Sequence, residues 1–336
     1  MPVDPQPQAV LTPLTESAVF LTLTVAEGGE QTVRDLLPEL GGLVRSVGFR
    51  LPDEGLTCVL GIGSDLWDRT FDGPRPTALH PFVEVTGARH HAPSTPGDLF
   101  LHVRAQRLYP CFDLARLIHD RIGGAVEVVD EVHGFRYFDR RDLLGFVDGT
   151  ENPVGDDAAA AVLIGDEDPD FAGGSYVMTQ KYLHDLTGWQ AQSVEAQERA
   201  VGRRQLDNVE LDEATQPPDS HVALTTIVEQ DGTEREILRD NMPFGSIARG
   251  EYGTYFIGYA ADPDVPERML RRMFVGEPVG STDRLLEFST AVTGGLFFVP
   301  PAAMLDDPPP ARTDAAAEEA TPARSDLGIG DLRTAR

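Results

Sequence analysis

Ala18-Val19-Phe20-Leu21-Thr22-Leu23-Thr24-Val25 alternates apolar residues with Thr and reads as a strand. Working outward, residues 30–47 place Val33, Leu36, Leu37, Leu40, Leu43 and Val44 at helical spacing. Residues 56–62 form a short apolar strand, and Ser64-Asp65 then marks the N-cap of a short helix. Residues 98–103 read as a strand and 125–132 as another. Between them, 112–122 form a helix with Leu114, Leu117, Ile118 and Ile122 on one face. The order β-α-β then β-α-β predicts a ferredoxin-like unit.

Residues 143–155, punctuated by Gly and Pro, bridge to a second half with the same mixture and no convincing sequence repeat. Residues 165–174, with four acids, a Pro and three Gly, read as a loop. Strands are expected at 175–183, 222–228, 236–239 and 252–259, and residues 295–299 form a final apolar run. Helices are expected at 193–201 and 266–274, with Leu285 to Phe288 inside another. The fold class is therefore α+β, two ferredoxin-like domains packed together. The divisions are an N-terminal extension (1–17), domains at 18–142 and 143–305, a disordered linker (306–326) and a terminal peptide (327–336).

Of 336 residues, 41% are apolar, enough for packed cores. The net charge of −27 argues against nucleic-acid binding, which needs clustered Lys and Arg, and against docking on anionic lipid. Cys58 and Cys111 read as buried reduced thiols, too few for a Cys-based metal site. Residues 1–14 lack a basic start and an apolar core, so no secretory signal is visible and a cytoplasmic protein is expected. No apolar run approaches the ~20 residues of a membrane span. Gly61-Ile62-Gly63 hints at a dinucleotide loop, but Leu66 stands where the third Gly belongs.

Three segments carry chemistry. Gly145-Phe146-Val147-Asp148-Gly149-Thr150-Glu151-Asn152-Pro153 sets an acid between glycines, although Asp-Gly and Asn-Pro are also ordinary turn dipeptides. Ser220-His221-Val222-Ala223-Leu224 and Ile237-Leu238-Arg239-Asp240-Asn241-Met242-Pro243 follow. Eight His compete as metal ligands, and His184 rivals His221; spacing alone does not choose. Together the three segments resemble the dye-decolourising peroxidases, in particular their bacterial cytoplasmic (class B/P) subgroup, over residues 18–301.

That resemblance implies a dimeric α/β-barrel-like fold carrying haem b in the second domain. His221 is then the iron ligand, and Asp283 is the acceptor for its other ring nitrogen, though Asp283 also reads as a helix N-cap. Asp148 moves the peroxide proton, Arg239 offsets charge on the departing oxygen, and Asn241, two residues on, shares its strand face. Arg203 is implied as the partner of a haem propionate and Phe256 as a haem contact. The implied partners are hydrogen peroxide and small-molecule reductants, in a homo-oligomer. A haem carrier or iron-release (deferrochelatase-like) protein of the same fold is the alternative; a chlorite-dismutase-like enzyme is disfavoured, since it has no evident use for a distal Asp.

Past residue 306 the composition shifts to Pro308-Pro309-Pro310 and then Ala315-Ala316-Ala317-Glu318-Glu319-Ala320. Leu327-Gly328-Ile329-Gly330-Asp331-Leu332-Arg333 places three spaced aliphatics in a polar tail. It resembles the cargo-loading peptide of encapsulin cargo proteins, with Asp331 and Arg333 as departures. Leu327, Ile329 and Leu332 would fill apolar pockets of a shell, Gly328 and Gly330 would let the backbone lie close, and Arg333 would pair at the rim. The implied location is an encapsulin nanocompartment in the cytoplasm.

Overall fold

The alternation that begins at residue 18 builds the centre of the N-terminal half. Val19, Leu21 and Leu23 join one buried cluster, Ala18 and Phe20 another, so the strand is buried on both faces. The structure, a computed structural model, describes residues 6–212 and 214–312; Leu327 to Arg333 therefore lie outside the described residues. Its first half runs β1 (Ser17–Val25), α1 (Glu30–Leu36), α2 (Leu40–Gly48), β2 (Thr57–Ile62) and α3 (Ser64–Thr70). A short hairpin of β3 (Val85–Thr86) and β4 (His91–Ala92) follows, then β5 (Leu99–Ala105), α4 (Leu108–Ile122) and β6 (Val126–Phe135).

The second half runs α5 (Gly155–Val162), β7 (Ser175–His184), α6 (Leu186–Gln190), α7 (Val194–Val201) and α8 (His221–Thr225). Next come β8 (Ile227–Val228), β9 (Glu234–Arg235), β10 (Leu238–Arg239), β11 (Met242–Ser246) and β12 (Glu251–Ala260). It closes with α9 (Asp264–Phe274), β13 (Ser289–Ala291), β14 (Gly295–Val299) and α10 (Ala302–Asp306).

Both halves use one strand order. The N-terminal sheet is β2-β5-β1-β6 and the C-terminal sheet β10-β12-β7-β14, all antiparallel, which is the ferredoxin-like arrangement twice. They join at Phe298↔Ile62, where β14 meets β2. The N-terminal segment seals this joint: Gln8 donates to the Leu60 and Pro300 carbonyls, both at 2.9 Å, and accepts from Leu60 N at 2.8 Å. At the far ends β11 lies against β6, since a Cβ on Gly134 would stand 2.7 Å from Met242 Cβ. The space enclosed is filled by Phe20, Phe100, Tyr255, Tyr259 and Phe297.

Four local expectations change. Pro38 interrupts 30–47, giving α1, a 3-10 turn and α2, because Pro lacks the N–H and crowds the preceding turn. Ser64 and Asp65 are the first residues of α3; Gly63 takes the N-cap position. Residues 222–228 are not one strand: Ser220 caps α8, its Oγ accepting from Ala223 N at 3.4 Å, and only Ile227–Val228 is extended. The cap outweighs the strand preference of Val222. Leu285 and Leu286 sit in a 3-10 turn, Arg284–Glu287.

The chain after α10 returns to the N-terminal half. Asp72 N donates to the Pro310 carbonyl at 2.9 Å and Arg312 N to that of Thr70 at 3.0 Å, and Ala311 bridges Phe71. Cys58 and Cys111 are buried and unpaired, and burial pushes each thiol up to about 12, out of reach of ionisation near neutrality. No helix among the described residues is long and apolar enough to cross a membrane.

Candidate active site

The two sheets differ in what covers their outer faces. On the first, Leu36, Leu40, Leu114 and Ile118 of α1, α2 and α4 pack directly. On the second, α8 and α9 stand off from β7 and β12 and leave an open cavity of ≈ 1050 Å³ counting its mouth. Its walls are largely apolar, with Leu144, Phe146, Met178, Phe256, Met269 and Met273 among them. Asp148, His221, Arg239 and Asn241 meet there, with Phe256 on β12 beside them.

His221 enters from the first position of α8, fixed by the Ser220 cap. Its Nδ1 donates to Asp283 Oδ2 at 2.7 Å, and the Asp283 carboxyl is 0% exposed. The other oxygen, Oδ1, accepts from Leu285 N at 2.9 Å, so Asp283 caps its turn and orients the imidazole at once. Nε2 of His221 has no hydrogen-bond partner among the described residues. His184, the rival, also lines the cavity but has both ring nitrogens engaged, with Ser289 Oγ at 2.8 Å and Thr254 Oγ1 at 3.0 Å. Burial pushes it down to about 4, a neutral core histidine.

Asp148 sits in the 145–153 segment, which is clasped to β10. Asn152 Nδ2 donates to the Arg239 carbonyl at 2.6 Å and Arg239 N donates back to Asn152 Oδ1 at 3.0 Å. Gly149 has φ +73°, a conformation that favours glycine, and lets the chain turn directly after the acid. Asn241 accepts from Ile257 N at 3.0 Å, which leaves its amide to donate to Asp148 Oδ1 at 3.2 Å. The described contact of Asn241 is thus with the carboxylate.

Arg239 is the unusual member. Its Nε is buried and has no partner among the described residues. Burial pulls its pKa down, against the opposing charges of Asp148 and Glu236. A half-buried cation whose Nε is left without an acceptor is a preorganised site for an incoming negative charge. Arg203 lines an adjoining pocket with Asp148, His221 and Arg239. Its guanidinium already pairs with Glu151 and with Glu210 at 3.1 Å, and donates to the Asn208 carbonyl at 2.9 Å.

Asp142 was not anticipated. It lines the cavity, and its Oδ1 accepts from Phe146 N at 3.0 Å. Burial first, and the Asp148 charge second, push it up to about 7. An Arg-Arg-Asp run gives no hint of this; only the fold brings the second acid beside the first. The sign for stability follows. A carboxyl raised above its unfolded value contributes stability that is fully present below about 3.8 and is lost as pH rises through about 7. Asp142→Asn keeps the acceptor and removes the charge, so its melting-temperature gain over the native chain should grow between pH 4 and pH 8. A pH-independent difference in scanning calorimetry would contradict the raised value.

Family models cover nearly the whole described chain. The C-terminal Dyp-type peroxidase model matches residues 139–304 and the N-terminal model residues 7–136. The chain belongs to the Dyp-type peroxidase family. It is 58% identical to a dye-decolorizing peroxidase of Rhodococcus erythropolis, over 97% of each chain. It is 58% identical to that of Mycobacterium tuberculosis, again over 97% of each. Among solved structures it is similar to the encapsulated DyP-type peroxidase of Mycobacterium smegmatis, with 59% identity and TM-score 0.90, covering 92% of this chain and 100% of that one. It is also similar to a Rhodococcus jostii DypB variant in complex with heme, with 57% identity and TM-score 0.88, covering 91% and 99%.

Proposed function

We propose that the cavity holds haem b and that the chain is a haem peroxidase, reducing hydrogen peroxide at the expense of dyes, phenols or other one-electron donors. The observation that carries this is the His221–Asp283 pair. An imidazole held through Nδ1 by a buried carboxylate, at 2.7 Å, with Nε2 uncommitted on an apolar cavity, is a donor that would hold a haem iron. The residues present fit the group: the apolar walls suit a flat ring, and Arg203 in the adjoining pocket would supply a cation for a propionate. Bound haem would supply the redox chemistry.

The chain's own residues do the rest. Asp283 draws on the Nδ1 proton of His221 and raises the basicity of Nε2. Asp148 takes a proton from one peroxide oxygen and returns it to the other. Asn241 holds the Asp148 carboxylate in place. Arg239, short of acceptors, offsets the charge that grows on the departing oxygen. Phe256 would pack against the ring, and Arg203 would share its guanidinium with a propionate. Residues 18–142 then serve as one domain and 143–305 as the haem-bearing one.

An absorption spectrum of the purified protein tests the cofactor through its Soret band. Stopped-flow mixing with peroxide tests the enzyme, since a carrier or iron-release protein would keep the band and change slowly.

The tail extends the reading. The encapsulated relative supports packaging of this chain by an encapsulin shell through Leu327, Gly328, Ile329, Gly330, Leu332 and Arg333. Many copies on a homo-oligomer would bind with avidity. Co-expression with the shell protein should give co-purification of the full chain and loss of it for a chain ending at Ala323. Equal recovery of both would refute packaging through the tail.

A further inference from the structure

The interior between the two sheets holds a polar group that the cavity does not use. His102, Arg104, Asp240 and Tyr259 are each at most 2% exposed, among Phe20, Val59 and Ile257. Arg104 pairs with Asp240 and donates to Thr12 Oγ1 and to the Ala9 carbonyl. An ion pair joining the two halves explains those two residues. It does not explain His102.

The Nδ1 of His102 lies 2.9 Å from the Tyr259 hydroxyl. Its Nε2 lies 3.7 Å from Asp240 Oδ2 and has no hydrogen bond, and Asp240 Oδ1 has none either, among the described residues. Leaving buried groups short of partners costs free energy that a purely structural histidine has no reason to incur. The carboxylate favours the proton on Nε2, so Tyr259 donates to Nδ1. Tyr259 stands close to the cavity. Alternate residues of β12 face opposite sides: Phe256 lines the cavity, while Tyr255, Ile257 and Tyr259 point into the interior. Gly258, between them, pairs with Arg239. One sheet thickness therefore separates the phenol from the haem site.

We infer that Tyr259 is a redox-active residue that yields an electron to the peroxide-oxidised cofactor, with His102 as its proton acceptor. The inference rests on the haem-peroxidase reading. One electron leaves the Tyr259 ring and reduces the cofactor by one equivalent. The Oη–H bond breaks and the proton moves to His102 Nδ1. Asp240 Oδ2, at 3.7 Å, faces the imidazolium, while the Arg104 guanidinium paired with the same carboxylate opposes that charge. Burial holds the phenol proton on tightly, and burial together with the Arg104 charge keeps His102 neutral at rest, so the tyrosine cannot be oxidised there without a base in contact, and a neutral imidazole in contact is that base.

The test is freeze-quench EPR of the holoenzyme mixed with one equivalent of hydrogen peroxide, with the Soret change recorded in the same samples. The native chain should give a tyrosyl signal, kept in Tyr255→Phe and reduced at least about tenfold in Tyr259→Phe. In His102→Gln the signal should form more slowly and lose its deuterium isotope effect. A full signal in Tyr259→Phe overturns the inference. Should that variant fail to load haem, ENDOR of the native radical in D₂O decides: a single fixed deuteron supports His102 as the partner, and a disordered one overturns it. A native sample with no Soret response to peroxide would instead overturn the peroxidase reading itself.

Discussion

His221→Ala is expected to leave the protein almost without haem, while His184→Ala keeps a haem content near that of the native chain. The two histidines line one cavity, so position does not separate them. Their hydrogen bonds do. His184 uses both nitrogens on hydroxyls, at 2.8 and 3.0 Å, and has none left for iron. His221 spends only Nδ1, and spends it on a carboxylate. Removing it also leaves Asp283 buried without its partner, so a second variant is informative. Asp283→Asn keeps the cap on Leu285 but replaces the carboxylate, and losing such a supporting group typically costs 10–100-fold in metal affinity or activity. The ratio of Soret to protein absorbance measures all three. Haem retained in His221→Ala and lost in His184→Ala would reverse the assignment.

Arg239→Leu is expected to slow the reaction with peroxide by ~10²–10³ at unchanged haem content. The residue's place in the fold does not depend on its side chain: the clasp with Asn152 uses the Arg239 backbone N–H and carbonyl. The guanidinium Nε is buried without a partner, so its removal relieves an unmet donor and should not destabilise the chain. Loss of rate without loss of melting temperature therefore separates a functional cation from a structural one. A near-native stopped-flow rate would take Arg239 out of the mechanism.

The elements legible in the sequence are those built from local pattern. The 252–259 alternation became β12 and the 266–274 spacing became α9, because strand faces and helix faces impose their periods on neighbouring residues. His221 was legible as a motif, yet its helix was not, since a single capping hydroxyl decided between two conformations of a run rich in β-branched residues. Asp142 was invisible because its raised pKa comes from burial and from Asp148, which the five intervening residues fold back beside it. The His102–Tyr259 contact joins residues 157 apart in sequence, and no periodicity encodes such a pairing. The repeated β/α mixture pointed to two ferredoxin-like halves without a residue-level repeat, and the structure shows why: the strand order repeats while the side chains have diverged, one sheet packing its helices directly and the other holding them off to leave a cavity.

The joint between the halves also bears on how the chain is made. The edge of β2 is covered by Phe298 of β14 and by Gln8, which itself reaches Pro300. Residues 309–312 then lie across Phe71 and Thr70. During synthesis the first half emerges with that edge met only by Gln8 and without the strand that covers it, and stays so until the ribosome has passed residue 300. An open edge invites pairing with another nascent chain. The late closing strand makes synthesis of β14, rather than completion of the first half, the moment at which that exposure ends.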